Sequence, residues 1–494
     1  MTALWPQSIV IVGGGTAGWL AALILRDAAR RAGRPVRITV IESSKIGTIG
    51  VGEGSTAVFR QMLRHLGIDE LAFLRETGAT IKYGIRHRDW RRLGHHYDGP
   101  IDDPRLVTRG APLDGYAVAN GLPVAQAHLF QHLIDGKKAP FAQVDGRLVP
   151  AGPYHFAYHF DQALAGAFLR KQAQDVTVID DQVVRVETGE AGITALGLEA
   201  GGEVRADLFL DCTGFRRALI GALGATWVGY GDVLPVNRAM PFWLDIPEGE
   251  EIDPVTLAWA QKSGWMWKIP TQDRYGCGYV YSDAHLSPDQ AQAEIEQALG
   301  HPIEPRNDIK INAGRLDRPW IGNCVALGLS SSFLEPLEAT SIHGTIVQLL
   351  MLSAWLGDPT AGARYNQAVA QQVDDFRDFI RLHYVSERRD TVFWQDVSGS
   401  LPAQLQDRLT DWAGRLPQPQ DFAPFPLGLP HVQDQLFTPV LDGLGLLPPQ
   451  SGRAVVGPQS ATLAQTHAAL VAEYRAGAQR CLPHRGFLQS LRHG

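Results

Sequence analysis

The chain has 494 residues, of which 45% are hydrophobic and 20% charged, and its formal net charge at pH 7 is −7. That balance predicts a globular protein with a large core. It excludes the basic footprint of a nucleic-acid binder, and no apolar run approaches the length of a membrane span. The four cysteines, Cys212, Cys277, Cys324 and Cys481, are too scattered for a zinc set or a disulfide framework. With no room for a signal peptide before the first predicted strand, the expectation is a cytoplasmic protein.

An apolar run over 8–12 reads as a strand. It leads into Gly13-Gly14-Gly15-Thr16-Ala17-Gly18-Trp19 and a helical pattern over 16–31. Gly13, Gly15 and Gly18 supply G-x-G-x-x-G. The first allows a tight turn, the second lets a pyrophosphate reach the backbone, and the third packs helix on strand. The helix N-terminus, at Thr16 and Ala17, then offers unpaired N–H groups to phosphate. A second strand over 37–41 ends in Glu42, placed to hold the adenosine ribose hydroxyls. The loop 43–55 carries four glycines, which suit a backbone wrapped around a ligand. Within it, Glu53 either lines a cofactor tunnel or fixes the loop.

Helical patches follow at 56–66 and 70–77. Residues 80–88 read as one strand in which Ile81, Tyr83 and Ile85 alternate with Lys82, Gly84 and Arg86. By itself, Lys82 reads as a solvated lysine. Residues 89–153 read as irregular apart from a helical patch at 124–134. A helix starting near Asp161 and short strands at 176–179, 182–187, 192–199 and 205–210 lead to Asp211-Cys212-Thr213-Gly214, a second close approach to the cofactor. Strands at 238–246, 264–269 and 275–282 predict an antiparallel layer. Trp265 and Trp267 stand two apart on it, so both indoles take one face, as core packing or as a wall. A strand at 324–327 precedes Gly328 to Thr340 and a helix over 340–356. From 360 the pattern is helical, with a proline-rich interruption at 416–448 and a last helix over 459–480. His95, His96, His155, His159 and His343 form no convincing ligand set, so no metal is expected.

The order of these elements is, by analogy, that of a flavin-binding fold. The predicted class is α/β, an FAD-binding Rossmann-like fold with an inserted mixed or antiparallel sheet and a mainly helical C-terminal part. Residues 1–356 form the FAD-binding box, and 357–494 cover the substrate end.

Further motifs narrow this. Trp265-Met266-Trp267-Lys268-Ile269-Pro270 gives W-x-W-x-I-P. Together with the G-G-x-x-A-G-W form of the first motif, it resembles the signature pair of flavin-dependent halogenases of the tryptophan-halogenase type. Residues 79–85 resemble that family's lysine strand, and 333–340 resemble its F-L-E-P-L-E-S-T segment. The similarity runs through His383-Tyr384 and Phe393-Trp394 to Leu482-Pro483-His484. It implies that reduced FAD from a separate flavin reductase, oxygen and halide (chloride or bromide) yield hypohalous acid, which passes through a tunnel to a small aromatic substrate. By the resemblance, Lys82 and Glu338 are the essential pair, Thr340 and Ser341 bind halide, Val183, Leu329 and Ile342 contact the cofactor, and Trp265 and Trp267 separate flavin from substrate. A homodimer is compatible with it.

The chemistry accounts for these residue types. An ammonium can hydrogen-bond hypohalous acid or carry the halogen as a haloamine, and a carboxylate can accept the proton lost on rearomatisation. Three departures stand out. Ala339 replaces the family's serine, Ser341 replaces a glycine, and 95–101 lack the aromatic clamp of tryptophan-specific members. The expected substrate is therefore an indole or larger arene rather than free tryptophan. A flavin monooxygenase (hydroxylase or epoxidase) on the same fold and a non-catalytic flavoprotein are the competing readings.

Overall fold

A computed structural model describes residues 5–47, 52–100, 111–152 and 155–493. Part of the predicted loop 43–55, and 101–110 of the irregular stretch, lie outside the described residues. The strand Ser8–Val12 is central to a six-stranded sheet. Its order is Thr177–Asp180, Arg37–Glu42, Ser8–Val12, Leu208–Asp211, Cys324–Ala326 and Trp320–Ile321, parallel except for the last strand. The period-two alternation of Ser8–Val12 shows in its packing. Ile9 and Ile11 join the main core with the helices Thr16–Arg31 and Thr340–Trp355. Val10 and Val12 face a smaller cluster under the three-stranded sheet of Val183–Gly189, Gly192–Leu198 and Glu203–Val204.

The inserted layer is a seven-stranded sheet ordered Ile309–Lys310, Arg238–Asp245, Arg274–Tyr281, Gly264–Pro270, Val255–Ala260, Gly84–Arg88 and His96–Pro100. It is antiparallel except where Val255–Ala260 runs beside Gly84–Arg88. The single strand expected over 80–88 is two. Thr80–Lys82 pairs with Ala157–Phe160, which also pairs with Glu53–Gly54. At Tyr83 the backbone N–H turns to the Pro254 carbonyl, 2.8 Å away. Gly84–Arg88 then joins the larger sheet. The chain thus changes sheets one residue after Lys82, which fixes that residue at the seam between layers.

Beyond Thr340–Trp355, the helix Ala361–His383 packs against it. The proline-rich stretch contains Asp434–Gly443, a helix laid against His96–Pro100. Two helices, Ala111–Ala119 and His484–His493, were not legible in the pattern. The second supports the lysine strand, because the Ile81 N–H donates to His484 Nε2 (3.1 Å) while His484 Nδ1 donates to the Ile252 carbonyl (3.0 Å). One hydrophobic cluster runs from Ile9 to Leu491, across residue 356. Among the described residues no helix is long and apolar enough to cross a membrane.

Candidate active site

The glycine fingerprint forms a cradle at the start of Thr16–Arg31. Gly13 has φ +117°, and a Cβ there would fall 2.2 Å from the Cys212 carbonyl oxygen, so strand, turn and the 211–214 segment converge. At Gly15 a Cβ would meet nothing within 4 Å. No side chain caps this helix. Open backbone at an uncapped N-terminus is the geometry a pyrophosphate needs. Ala17 lies against the Gly328 turn, where an added Cβ would come within 3.0 Å of the Ala17 methyl. Glu42 ends its strand as expected and lies across Gly14, with Oε1 2.6 Å from Arg170 Nη1. Val183 follows the strand that pairs with Arg37–Glu42 and packs against the small cluster that includes Val12 and Ile41. The far side of the cradle is braced by buried Asp211. Its carboxylate accepts from the backbone N–H of Leu219 (2.8 Å) and Ile220 (2.9 Å) and from the hydroxyls of Thr213 (2.7 Å) and Ser330 (3.1 Å). These residues fit the phosphate and ribose end of FAD.

Glu53, Lys82, Trp267, Leu329, Thr340 and Ser341 line one cavity. Lys82 is 1% exposed, not solvated. Its ammonium occupies space left by Gly54, where a Cβ would stand 2.5 Å from Nζ. Burial lowers the Lys82 ammonium to about 8, although Glu338 and Glu53 pull the other way. Burial likewise pushes Glu53 up to about 7 against the pull of Lys82. Thr340 and Ser341 open a sixteen-residue helix that no side chain caps. Its first N–H groups have no partner within the helix. The preceding Ala339 takes the left-handed conformation (φ +53°, ψ +36°), which turns the chain sharply from the Glu338 segment into the helix.

Glu338 is buried behind this turn. Its Oε1 lies 2.9 Å from His383 Nε2 and 3.5 Å from His87 Nε2. Burial alone would raise this carboxyl, but His383 and then His87 outweigh it and hold it at about 2. Burial keeps His87 low, at about 4. Glu335, the other acid of the segment, reaches the cavity wall, which Glu338 does not, and is held there by two donors. It accepts from Trp265 Nε1 (2.7 Å) and the Tyr384 hydroxyl (2.5 Å). Burial raises it to about 7 against those two bonds. The two tryptophans therefore differ. Trp267 lines the cavity, whereas Trp265 is fully buried and tethered to Glu335. Ile342 packs into the main core, and its side chain is not among those lining the cavity.

A family model described as tryptophan halogenase matches residues 8–455. The chain belongs to the tryptophan halogenase family. It is 35% identical to the tryptophan 6-halogenase of Streptomyces toxytricini over 92% of this chain and 93% of that one. The crystal structure of that enzyme superposes with a TM-score of 0.88, covering 99% of this chain and 100% of that chain at 33% identity. A flavin-dependent halogenase from Brevundimonas sp. BAL3 superposes at 0.84, with 34% identity, covering 98% of this chain and 99% of that chain.

Within this halogenase fold, sequence reading missed His87 and the role of His383. With Glu338 they offer three ligand-type atoms within 4.8 Å of one another. The histidines weighed for a metal lie elsewhere. His159 contacts the hydroxyls of Thr80 (3.2 Å) and Thr256 (2.9 Å), and His343 contacts Thr56 (3.0 Å). His87 and His383 come from distant segments, so no spacing rule brings them together. The one available signal was His383-Tyr384 in the family resemblance.

Proposed function

We propose that this protein takes FADH2 diffusing from a separate reductase, together with oxygen and halide, and halogenates an electron-rich arene of the indole class in the cytoplasm. Gly13, Gly15, Thr16, Ala17, Gly18 and Glu42 hold the cofactor's phosphate and ribose end, with Val183, Leu329 and the backbone at Ile342 contributing contacts. Bound reduced FAD supplies the electrons for the oxygen chemistry that turns halide into hypohalous acid. Thr340 and Ser341 hold halide on the free N–H groups of their helix, and Trp267 walls flavin from substrate with Trp265 fixed behind it. Lys82 holds the electrophilic halogen. Glu338 accepts the proton as the ring C–H bond breaks and its electron pair returns to the ring.

The observation that carries this reading is the burial of Lys82 in the cavity wall, where it interacts with two carboxylates, Glu338 and Glu53. An unused lysine would not be kept out of water at that cost. The test is product mass with FAD, a reductase, NADH and an indole panel, in bromide, chloride or no halide. A halogen isotope pattern that Lys82→Ala abolishes, with FAD affinity retained, is expected. Oxygen gain without halide would instead indicate a monooxygenase. Free tryptophan is not the preferred substrate on this reading. Tyr97, in the segment where the clamp is missing, stacks on His87 at 4.6 Å and 10° rather than standing free to hold an indole. Micromolar binding of free tryptophan by calorimetry would refute that part.

A further inference from the structure

Glu338 is buried and is not among the residues lining the cavity, so its orientation rests on the groups packed around it. His383 is the last residue of the helix Ala361–His383. Its Nδ1 lies 2.9 Å from the Phe379 carbonyl oxygen, which can only accept, so Nδ1 carries a proton. Its Nε2 stands 2.9 Å from Glu338 Oε1, close but not aligned as a linear hydrogen bond. A ring lone pair and a carboxylate lone pair repel at that distance, so a proton lies on one of the two atoms. The helix C-terminus favours the cationic ring. From these contacts we infer that His383 is a positioning residue, an imidazolium that keeps Glu338 ionised and aimed at the substrate. This rests on the reading of Glu338 as the proton acceptor.

The groups around the pair agree. Glu335, like Glu338, interacts with His383. Arg381 is directed away, donating to the Val397 carbonyl (2.6 Å). Tyr97 stays protonated, its hydroxyl pushed well above 10 by burial first and Glu338 second. Lys82, in the cavity wall, interacts electrostatically with Glu338. His87, neutral near pH 7, is fully buried between Tyr97 and His383, with ring centroids 4.6 and 4.7 Å away. It sets the tilt of the His383 ring and adds little charge. Glu338 therefore interacts with Lys82, which lines the cavity, and touches His383, which does not.

The test is the pH dependence of kcat/KM for halogenation by the full-length protein and by His383→Gln and His383→Leu, with FAD affinity and thermal midpoint as controls. Glutamine can place an amide donor near Glu338 but carries no charge. Glu338 should give the wild type no acid limb in the working range. In both variants burial is no longer offset by His383, and the carboxyl should rise by about 3 pH units or more, bringing a new acid limb into the range above about pH 5. Activity at high pH should recover in His383→Gln and not in His383→Leu. Equal loss at every pH, with no new limb, would mean a merely structural histidine and overturn the inference. So would one equivalent of divalent metal in the purified protein that is lost from His383→Gln, because the three groups would then be a metal site. Glu338→Gln separates the two claims. If that variant still halogenates, the proposed role of Glu338 fails first. If it is inactive while no new limb appears in the His383 variants, only the present inference fails.

Discussion

Gly54→Ala isolates the position of Lys82 from everything else in the site. Gly54 is not at a positive-φ position, so alanine meets no backbone strain. Its Cβ would stand 2.5 Å from Lys82 Nζ and 3.4 Å from Cε. An ordinary contact needs about 3.4 Å or more, so the ammonium must retreat by about 1 Å. The end of a lysine can make that move without unfolding anything. A displacement of that size at a reacting centre costs on the order of 100-fold in rate. The assay is kcat/KM for halogenation, with FAD affinity and thermal midpoint alongside. Gly47→Ala is the control, since a Cβ there meets nothing within 4 Å. We expect Gly54→Ala to lose about two orders of magnitude in kcat/KM while folding and binding FAD normally. Equal activity in the two variants would refute the claim that Lys82 acts from its observed position.

Glu335→Gln removes a titrating group while keeping an acceptor for Trp265 and Tyr384. Because the folded carboxyl is raised from 4.5 to about 7, its stabilising contribution is complete below pH 4.5 and lost as pH rises to about 7. Relative to the variant, the wild type should lose roughly 3 kcal/mol across that window, read by urea unfolding at pH 4 and 8. Parallel stabilities would contradict it. Asp211→Ala leaves the buried N–H groups of Leu219 and Ile220 without their acceptor. It should cost about 3 kcal/mol or more and weaken FAD binding; an unchanged urea midpoint would argue against the bracing role.

Local pattern carried much of the fold. The fingerprint strand and helix, the strands at 264–270 and 274–281 and the helix from Thr340 are where apolar period and turn residues point. The break at Tyr83 was not legible, because Ile81, Tyr83 and Ile85 alternate across it as they would in one strand. Only the competing partners, Ala157–Phe160 before and Val255–Ala260 after, divide it. The same limit applies at the site. Lys82 and Glu338 were found by motif, but the burial of Lys82 depends on Gly54 and on a strand about eighty residues downstream. The closing helix His484–His493 was missed because it is short and polar by composition. Its buried His484 meets the Ile81 N–H and its Phe487 stacks on Phe141, partners that no local pattern supplies.

The protonation pattern gives the site a measurable choice between the two lysine chemistries. Glu338, near 2, is a carboxylate throughout the working range, whereas Lys82, near 8, changes form just above neutrality. If the ammonium hydrogen-bonds hypohalous acid, the protonated form is the active one, and kcat/KM must fall as pH rises through about 8. If the amine carries the halogen, the neutral form is required, and kcat/KM must rise up to that pH. Glu53, near 7, titrates beside the lysine, and its ionisation favours the ammonium. Glu53→Gln should therefore shift the lysine limb to lower pH on either route, while the direction of the limb identifies the chemistry. A profile flat from pH 6 to 9 in both proteins would mean that Lys82 does not change protonation in the rate-determining step, and the argument from its burial would then concern structure alone.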